Sequence, residues 1–356
     1  MLNQLLEKMI SRRHPSRCPI CCILPPYMLD HIIRHGDEEN YNWALETLKA
    51  SEQFRGRRKA IGNISFAVSP GQMKRAIYDA KNGTSLPGVL VREEGDPPSE
   101  DEAVNEAYDG SGATYDLFRD MYGRNSIDDR GLRLDSTVHY DVGYDNAFWN
   151  GDQMIYGDGG GRLFNRFTVS IDVIGHELTH GIIQYDAGLI YRDESGALNE
   201  SFSDVFGTLV KQRSLNQTVD QADWLIGAEI LAQDVQGVAL RSLKAPGTAY
   251  NDPVLGKDPQ PKHYSRRYQG TANDGGVHIN SGIANHAFYL AAMAIGGYAW
   301  EKTGKIWYLT LRDGLRPRAS FKQAAESTIF VAGSLYGQDS NERKAVQSAW
   351  QQVGVI

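Results

Sequence analysis

One pentapeptide, His176-Glu177-Leu178-Thr179-His180, restricts the fold of this 356-residue chain more than any other feature. It lies inside VSIDVIGHELTHGIIQYDA, whose apolar spacing predicts a helix. Residues four apart lie about 40° apart around a helix, so both imidazoles project from one face toward one point, as a shared metal ion requires. Glu177 lies one step round the helix, where its carboxylate can reach a metal-bound water without being a ligand. The motif therefore predicts a metal site on this helix.

Glu200 is the predicted third ligand. It follows His180 after 19 intervening residues, in a second helical segment with an apolar side formed by Phe202, Val205, Phe206 and Leu209. Two histidines and one glutamate leave a fourth position open for water, as in catalytic zinc sites. Asp204 and Asn199 are predicted to accept the second N–H groups of the two histidines. The alternative interpretation of Asp204 and Asn199 is that they are only a solvated carboxylate and a helix cap.

The composition argues against nucleic-acid and membrane partners. Lys and Arg total 37 against 44 for Asp and Glu, a formal net charge of -7 that disfavours binding to a phosphate backbone. Hydrophobic residues make up 41%, and no apolar run approaches the roughly 18 residues of a membrane span. A soluble monomer is expected.

Residues 1–55 differ from the rest and predict a removable N-terminal module, named here the pro-segment. They contain an amphipathic helical pattern, a PPYML element and every cysteine, namely Cys18, Cys21 and Cys22. A basic link of the kind that proteases cut follows, at Arg55, Arg57, Arg58 and Lys59. Prolines interrupt the apolar stretch PICCILPPYML, so no standard signal peptide is predicted. Secretion would then need another route, with cytoplasmic retention as the alternative.

The rest of the chain predicts two lobes of an α+β protein. Alternating apolar residues in AIGNISFAV, KRAIYDAKN, TVHYDV and NAFWNGDQMIYGDG favour strands from about residue 60 to 160. Helical spacing dominates from about residue 170 onward. We therefore predict a β-rich lobe that includes the HELTH helix, residues 56–187, and a mainly helical lobe, residues 188–356.

The stretch HELTHGIIQYDAGLIYRDESGALNESFSDVFG resembles the thermolysin-like zinc metalloproteases. NAFWNGDQMIYGDG and GGVHINSGIANHAFYL resemble two further signatures of that family in the expected order, and the resemblance covers roughly residues 75–356. It implies a two-lobed zincin fold and an endopeptidase that cuts on the N-terminal side of hydrophobic residues. The short pro-segment resembles the protealysin group, in which a Pro-Pro-x-x-Leu-like element is matched by Pro25, Pro26, Tyr27, Met28 and Leu29.

The resemblance also implies roles for residues around the metal. Tyr191 and His278 would donate hydrogen bonds to the oxyanion, and Arg241 would hold a substrate carbonyl. Asn146 and Ala147 would present an edge strand that pairs with the peptide backbone. An apolar pocket for the residue after the scissile bond would be formed by Phe164, Phe167, Val173, Ile226 and Leu240. The PPYML element is expected to lie extended in this cleft as an intramolecular inhibitor, with Met28 or Leu29 in the pocket.

Two departures from the family pattern affect these expectations. Before the oxyanion histidine the chain has Asn273-Asp274 where the family usually has Asp-Asn, so the carboxylate expected to orient His278 is displaced by one residue. At the family's double calcium site Asp172 is kept, but three carboxylate positions hold Lys211, Leu225 and Ala228. An internal salt bridge, without calcium at that site, is predicted instead.

Three alternatives remain open from the sequence. The cysteines are either buried or incidental thiols, or one thiolate caps the zinc. A catalytically inactive zincin-fold binding protein would keep the helices, although Glu177, Tyr191 and His278 are all present. A zinc aminopeptidase would need a carboxylate cluster for the substrate amine, and its GAMEN motif is absent. A serine or cysteine mechanism is disfavoured because there is no GxSxG elbow.

Overall fold

A mixed six-stranded sheet organises the N-terminal part of the structure, a computed structural model that describes residues 21–58 and 72–356. Its strands are β1 (Cys21–Cys22), β2 (Arg75–Asp79), β3 (Val89–Glu93), β4 (Leu134–Val138), β5 (Ala147–Trp149) and β6 (Met154–Tyr156). They lie in the order β1-β5-β6-β4-β2-β3, and β4 runs parallel to both β2 and β6 while the other pairs are antiparallel. Two predicted strand segments contain β2 and the β5–β6 pair, and a third, TVHYDV, overlaps β4 only at Thr137 and Val138. The fourth, AIGNISFAV, lies outside the described residues.

Three helices accompany this sheet: α1 (Pro26–His35), α2 (Glu38–Arg58) and α3 (Glu102–Tyr122). The first two match the amphipathic pattern of the pro-segment. The third lies in a region for which only strands were predicted. Asp101 caps its N-terminus, since the Asp101 carboxylate accepts a hydrogen bond from the Ala103 amide at 2.9 Å. Gly123, which has a φ of 72°, caps its C-terminus. Both are ordinary helix-boundary signals.

The C-terminal part is mainly helical, so the two-lobed α+β prediction is confirmed. Its helices are α4 (Ile171–Tyr185), α5 (Asp193–Ser214), α6 (Ala272–Ile295), α7 (Lys302–Leu309), α8 (Phe321–Tyr336) and α9 (Asn341–Gln352). Two small antiparallel ladders lie between α5 and α6, formed by β7 (Leu225–Ile226) with β8 (Arg241–Ser242), and by β9 (Asn251–Asp252) with β10 (Gly256–Lys257). Among the described residues, no helix has the length and apolar character needed to cross a bilayer.

Two glycines set the distance between α4 and α5. A Cβ atom on Gly175 would lie 3.2 Å from the Gly207 Cα, and one on Gly207 would lie 2.5 Å from the Asp172 carbonyl oxygen. Any side chain at Gly207 would therefore push the two helices apart. Since α4 carries HELTH and α5 carries Glu200, this close packing brings the predicted metal ligands together.

The pro-segment packs against the strand side of the catalytic part. The Trp43 ring lies on Gly143, where a Cβ atom would be 0.8 Å from the ring. Arg162 donates to Asp37 at 2.6 Å, and the Asp145 amide donates to the Thr47 hydroxyl at 3.1 Å. Helix α2 thus covers the chain just before β5.

Candidate active site

The three predicted ligands meet between α4 and α5. One ligand atom from each of His176, His180 and Glu200 lies within 4.8 Å of the others. The two Nε2 atoms are 3.0 Å apart, and the Glu200 carboxylate oxygens lie 3.6 Å from His176 Nε2 and 3.5 Å from His180 Nε2. All three side chains are buried. Helical spacing and the glycine contact together produce the cluster that the sequence predicted.

The chemistry of this donor set fits a zinc ion. Burial lowers the pKa of His176 and His180, and the neighbouring His176 adds to the effect on His180, so both imidazoles stay neutral and able to bind a metal. Burial raises the pKa of Glu200 to about 8. Its Oε2 has no hydrogen-bond partner within the described part of the chain. A divalent cation would supply the counter-charge that this carboxylate needs, and two nitrogens with one oxygen leave one tetrahedral position open.

Both predicted histidine partners lie at hydrogen-bond distance. Asp204 Oδ1 lies 2.8 Å from His176 Nδ1, and Asn199 Oδ1 lies 2.7 Å from His180 Nδ1. Asp204 is fully buried and also accepts hydrogen bonds from Arg241. Burial alone would raise the pKa of Asp204, but the Arg241 guanidinium and His176 hold it well below its usual range. Asp204 is therefore a buried, ionised carboxylate and not a solvated one.

Glu177 faces the same space from one step round α4. Its Oε2 accepts a hydrogen bond from the Trp149 amide at 3.1 Å, and its Oε1 has no partner among the residues that are described. Burial, together with the nearby Glu200 carboxylate, raises the pKa of Glu177 well above its ordinary value. The side chain thus has the raised proton affinity that suits a general base.

Tyr191 and His278 lie beside Glu200. The Tyr191 hydroxyl donates to Glu200 through a short hydrogen bond and lies 3.0 Å from His278 Nε2. His278 follows four residues with positive φ, at positions 273–276, of which Asn273 and Asp274 are not glycine. The predicted effect of the Asn273-Asp274 order on His278 stays a prediction.

An extended peptide already pairs with the predicted substrate strand, and it belongs to the pro-segment. Strand β1 is antiparallel to β5, with Cys22 opposite Phe148. The pairing continues beyond β1, because the Ile23 amide donates to the Ala147 carbonyl at 3.2 Å and the Leu24 amide donates to Asn146 Oδ1 at 3.0 Å. Ile23 and Leu24 were not among the predicted site residues. A usable signal was present, because a residue before proline favours extended backbone.

The expected extended conformation of the PPYML element is wrong. Pro25 caps helix α1, and Pro26 to Leu29 form its first turn. Proline is well suited to this position because the first turn of a helix needs no N–H donor. Met28 and Leu29 are buried in the apolar cluster that also contains Ile23 and Leu24, while Tyr27 is partly buried at its edge. That cluster includes every predicted pocket residue: Phe164, Phe167, Val173, Ile226 and Leu240. Occupation of the pocket by Met28 or Leu29 stays a prediction.

Cys22 fits the buried-thiol interpretation. Its Sγ lies 3.8 Å from the Ser51 hydroxyl of α2, in a small apolar cluster with Tyr140, Tyr144 and Phe148. It does not belong to the metal-binding group found among the described residues. Cys18 lies outside those residues, and Cys21 is described by its backbone pairing alone.

Lys211 forms the predicted internal salt bridge. Its ammonium lies 3.1 Å from Asp172 and 2.9 Å from Asp223, and it is buried. Burial alone would lower the pKa of Lys211, but the Asp172 carboxylate raises it above its usual value. Leu225 and Ala228 have no side-chain oxygen that could act as a calcium ligand.

Comparison with known proteins supports the geometry over almost the whole chain. Residues 62–184 match the family described as "Thermolysin metallopeptidase, catalytic domain", and residues 187–355 match "Thermolysin metallopeptidase, alpha-helical domain". An "Extracellular metalloprotease" of Pectobacterium carotovorum subsp. carotovorum is 50% identical over 338 residues, which cover 95% of this chain and 97% of that protein.

Two further comparisons include the pro-segment. "Protease PrtS" of Photorhabdus sp. (strain Az29) is 47% identical over 94% of this chain and 91% of that protein. The solved structure titled "Precursor of Protealysin, Metalloproteinase from Serratia proteamaculans" is 52% identical, covers 94% of this chain and 100% of that chain, and superposes with a TM-score of 0.87.

Proposed function

This chain belongs to the thermolysin family of metallopeptidases, and we propose that it is the precursor of a zinc-dependent neutral endopeptidase whose pro-segment blocks its own cleft. The observation that carries this proposal is the buried group of His176, His180 and Glu200 beside Glu177, facing a strand that holds an extended peptide. An inactive zincin-fold binding protein would have no use for the base and both oxyanion donors, which this chain keeps.

Different residues of the chain transfer the proton and stabilise the developing negative charge during peptide hydrolysis. Zinc held by the three ligands would lower the pKa of a bound water and polarise the peptide carbonyl. Glu177 takes the water proton and passes it to the leaving amine. Tyr191 and His278 donate hydrogen bonds to the carbonyl oxygen as negative charge develops there.

The remaining site residues orient these groups and the substrate. Asp204 and Asn199 fix the ring orientation of His176 and His180. Arg241, held by Asp204, donates to a substrate carbonyl. Asn146 and Ala147 pair with the substrate backbone. The apolar pocket selects a hydrophobic residue after the scissile bond; its proposed residues are Phe164, Phe167, Val173, Ile226 and Leu240.

We assign the pro-segment to residues 1–55, the β-rich catalytic lobe to 56–187 and the helical lobe to 188–356. Removal of the pro-segment by a cut near the basic link would open the cleft. Secretion of the enzyme is supported by the name of the Pectobacterium relative. We further propose a monomer with one catalytic zinc and without calcium at the family's double site, since Lys211 occupies that place.

The deciding experiment is mass spectrometry of a digest of peptides blocked at the N-terminus, with and without a zinc chelator, by a chain truncated near residue 55. We expect chelator-sensitive internal cuts before hydrophobic residues, and none by the same chain with Glu177→Ala. An aminopeptidase would leave blocked peptides intact. Absence of cutting by zinc-loaded truncated chain would support the binding-protein alternative.

A further inference from the structure

The register of the pro-segment in the cleft is fixed by three contacts to its backbone. The Ile23 amide donates to the Ala147 carbonyl at 3.2 Å, the Leu24 amide donates to Asn146 Oδ1 at 3.0 Å, and Arg241 Nη1 donates to the Ile23 carbonyl at 3.1 Å. These are the groups proposed above to hold a substrate. A slip by one residue would exchange the faces of the strand, so the contacts define one register.

In this register the Cys22 carbonyl lies at the oxyanion donors. His278 Nε2 donates to the Cys22 oxygen at 3.3 Å and lies 3.0 Å from the Tyr191 hydroxyl. The next peptide nitrogen belongs to Ile23. The Cys22–Ile23 bond therefore lies between the groups that would hold a carbonyl before the cut and an amide after it.

The side chains alternate as this register requires. Cys22 points toward the cluster with Ser51 and Tyr144, on the α2 side. Ile23 is completely buried in the large apolar cluster that contains the proposed pocket residues, such as Phe167. Neighbouring residues of a strand face opposite sides, so the aliphatic side chain after the bond is the one that enters the apolar side.

We propose that the Cys22–Ile23 peptide bond occupies the scissile position of this chain's own active site and is a site of self-cleavage. The step rests on the proposed endopeptidase function. Water attacks the Cys22 carbonyl carbon, a C–O bond forms, and the C–N bond to Ile23 breaks. Glu177 carries the water proton to the Ile23 nitrogen. The products are a carboxylate at Cys22 and a new amine at Ile23.

The fold keeps the new Ile23 end in place, so this cut alone leaves the cleft covered. Helix α1 begins at Pro26, directly after the extended stretch, and α2 stays attached through Trp43 on Gly143 and through Arg162 with Asp37. A tethered product has a high effective concentration in its own site. The Ile23 end should therefore stay bound after self-cleavage, which precedes release of the pro-segment.

The direct test follows full-length chain by intact-mass spectrometry after zinc is added to protein purified in chelator. We expect a fragment of residues 23–356 that forms with a first-order rate constant independent of protein concentration, since the bond lies in its own cleft. Glu177→Ala should abolish it. Ile23→Asp should reduce it at least about tenfold, because a carboxylate would have to enter an apolar cluster. The matched variant Ile23→Leu should retain it.

A second readout needs no cleavage. In chelated full-length chain carrying Glu177→Ala, the Ile23 and Leu24 amides should be protected from hydrogen exchange. Adding Asn146→Ala should speed exchange at Leu24, whose acceptor is lost, more than at Ile23, which bonds the Ala147 backbone. Equal acceleration at both amides would contradict the register.

The two proposals can fail separately. Zinc-loaded truncated chain that cuts blocked peptides, beside full-length chain that never yields a fragment starting at Ile23, would overturn self-cleavage and leave the endopeptidase function standing. A fraction cleaved per unit time that rises in proportion to protein concentration would also overturn it, since that indicates cutting by another molecule.

Discussion

Lys211→Met is expected to destabilise the catalytic part, although it replaces a buried charge with an apolar side chain of similar length. The ammonium lies between Asp172 at 3.1 Å and Asp223 at 2.9 Å. Asp172 is fully buried, and without Lys211 it would keep only two weaker partners, the Ser170 hydroxyl at 2.7 Å and the Gly227 amide at 3.2 Å. A buried carboxylate would lose its counter-charge.

The size of the effect follows from the burial of each partner. Removing one member of a buried ion pair costs about 3–5 kcal/mol. Asp223 is 42% exposed and regains water, and Asp172 keeps two hydrogen bonds, so a loss of about 3 kcal/mol in unfolding free energy is expected, at the low end of that range. Adding Asp172→Asn leaves no unpaired buried charge at this pair and should recover about 1–2 kcal/mol.

Urea unfolding monitored by tryptophan fluorescence measures these differences. Every variant carries Glu177→Ala to prevent digestion, and an unchanged denaturant slope shows that the same transition is compared. Lys302→Met is the matched control, because its pair with Glu342 is 2.7 Å long but the lysine is 51% exposed, and it should cost less than about 1 kcal/mol. A Lys211→Met loss no larger than that of Lys302→Met would refute the reasoning, as would a double variant less stable than the single one.

Three further predictions concern the metal, calcium and pH. Glu177→Ala should retain zinc and the melting temperature while peptidase activity falls at least about 100-fold, whereas His180→Ala should lose both zinc and activity; metal analysis and a blocked-peptide assay separate the two. Millimolar calcium should leave the melting temperature nearly unchanged because Lys211 already neutralises Asp172, and a rise of many degrees would contradict this. Burial beneath α2 raises the pKa of Asp145 from 3.8 to about 7, so the fold binds the protonated form better, and this stability is present below about pH 4 and lost as pH rises to about 7. Asp145→Asn should remove that loss in urea unfolding measured from pH 4.5 to 8, and identical pH profiles would exclude it.

The metal ligands could be predicted because they depend on local periodicity. His176 and His180 are four residues apart and therefore lie on the same face of a helix. A second amphipathic helix supplies Glu200. The salt bridge of Lys211 with Asp172 followed from the family resemblance, which places Lys211 where a carboxylate usually stands. Each of these predictions needed a helix and one helix–helix contact.

Helix α3 and the conformation of the pro-segment were harder to predict. The strand signals on both sides of α3 outweighed its boundary residues, Asp101 and Gly123, and its centre contains Gly110, a weak helix former. Gly110 allows α3 to pack closely on α4, since a Cβ atom at this position would lie 2.4 Å from the Ile174 side chain. The pairing of Leu24 with Asn146 joins residues 122 apart in the chain. The local sequence pattern carries no information about such a contact. The extended conformation was therefore predicted for the prolines, although it belongs to the residues just before them.

The same groups hold the pro-segment and would hold a substrate, and this limits where activation can act. Asn146 Oδ1 accepts from Leu24, and Arg241 donates to Ile23. A change at either residue would weaken inhibition and substrate binding together. Selective release must therefore act on contacts that a substrate does not use, such as the packing of Trp43 on Gly143 and the hydrogen bond of the Asp145 amide to Thr47. The exposed ion pairs of Arg162 contribute little by comparison, so an open cleft requires the separation of α2 from the strand side and not only a cut in the chain.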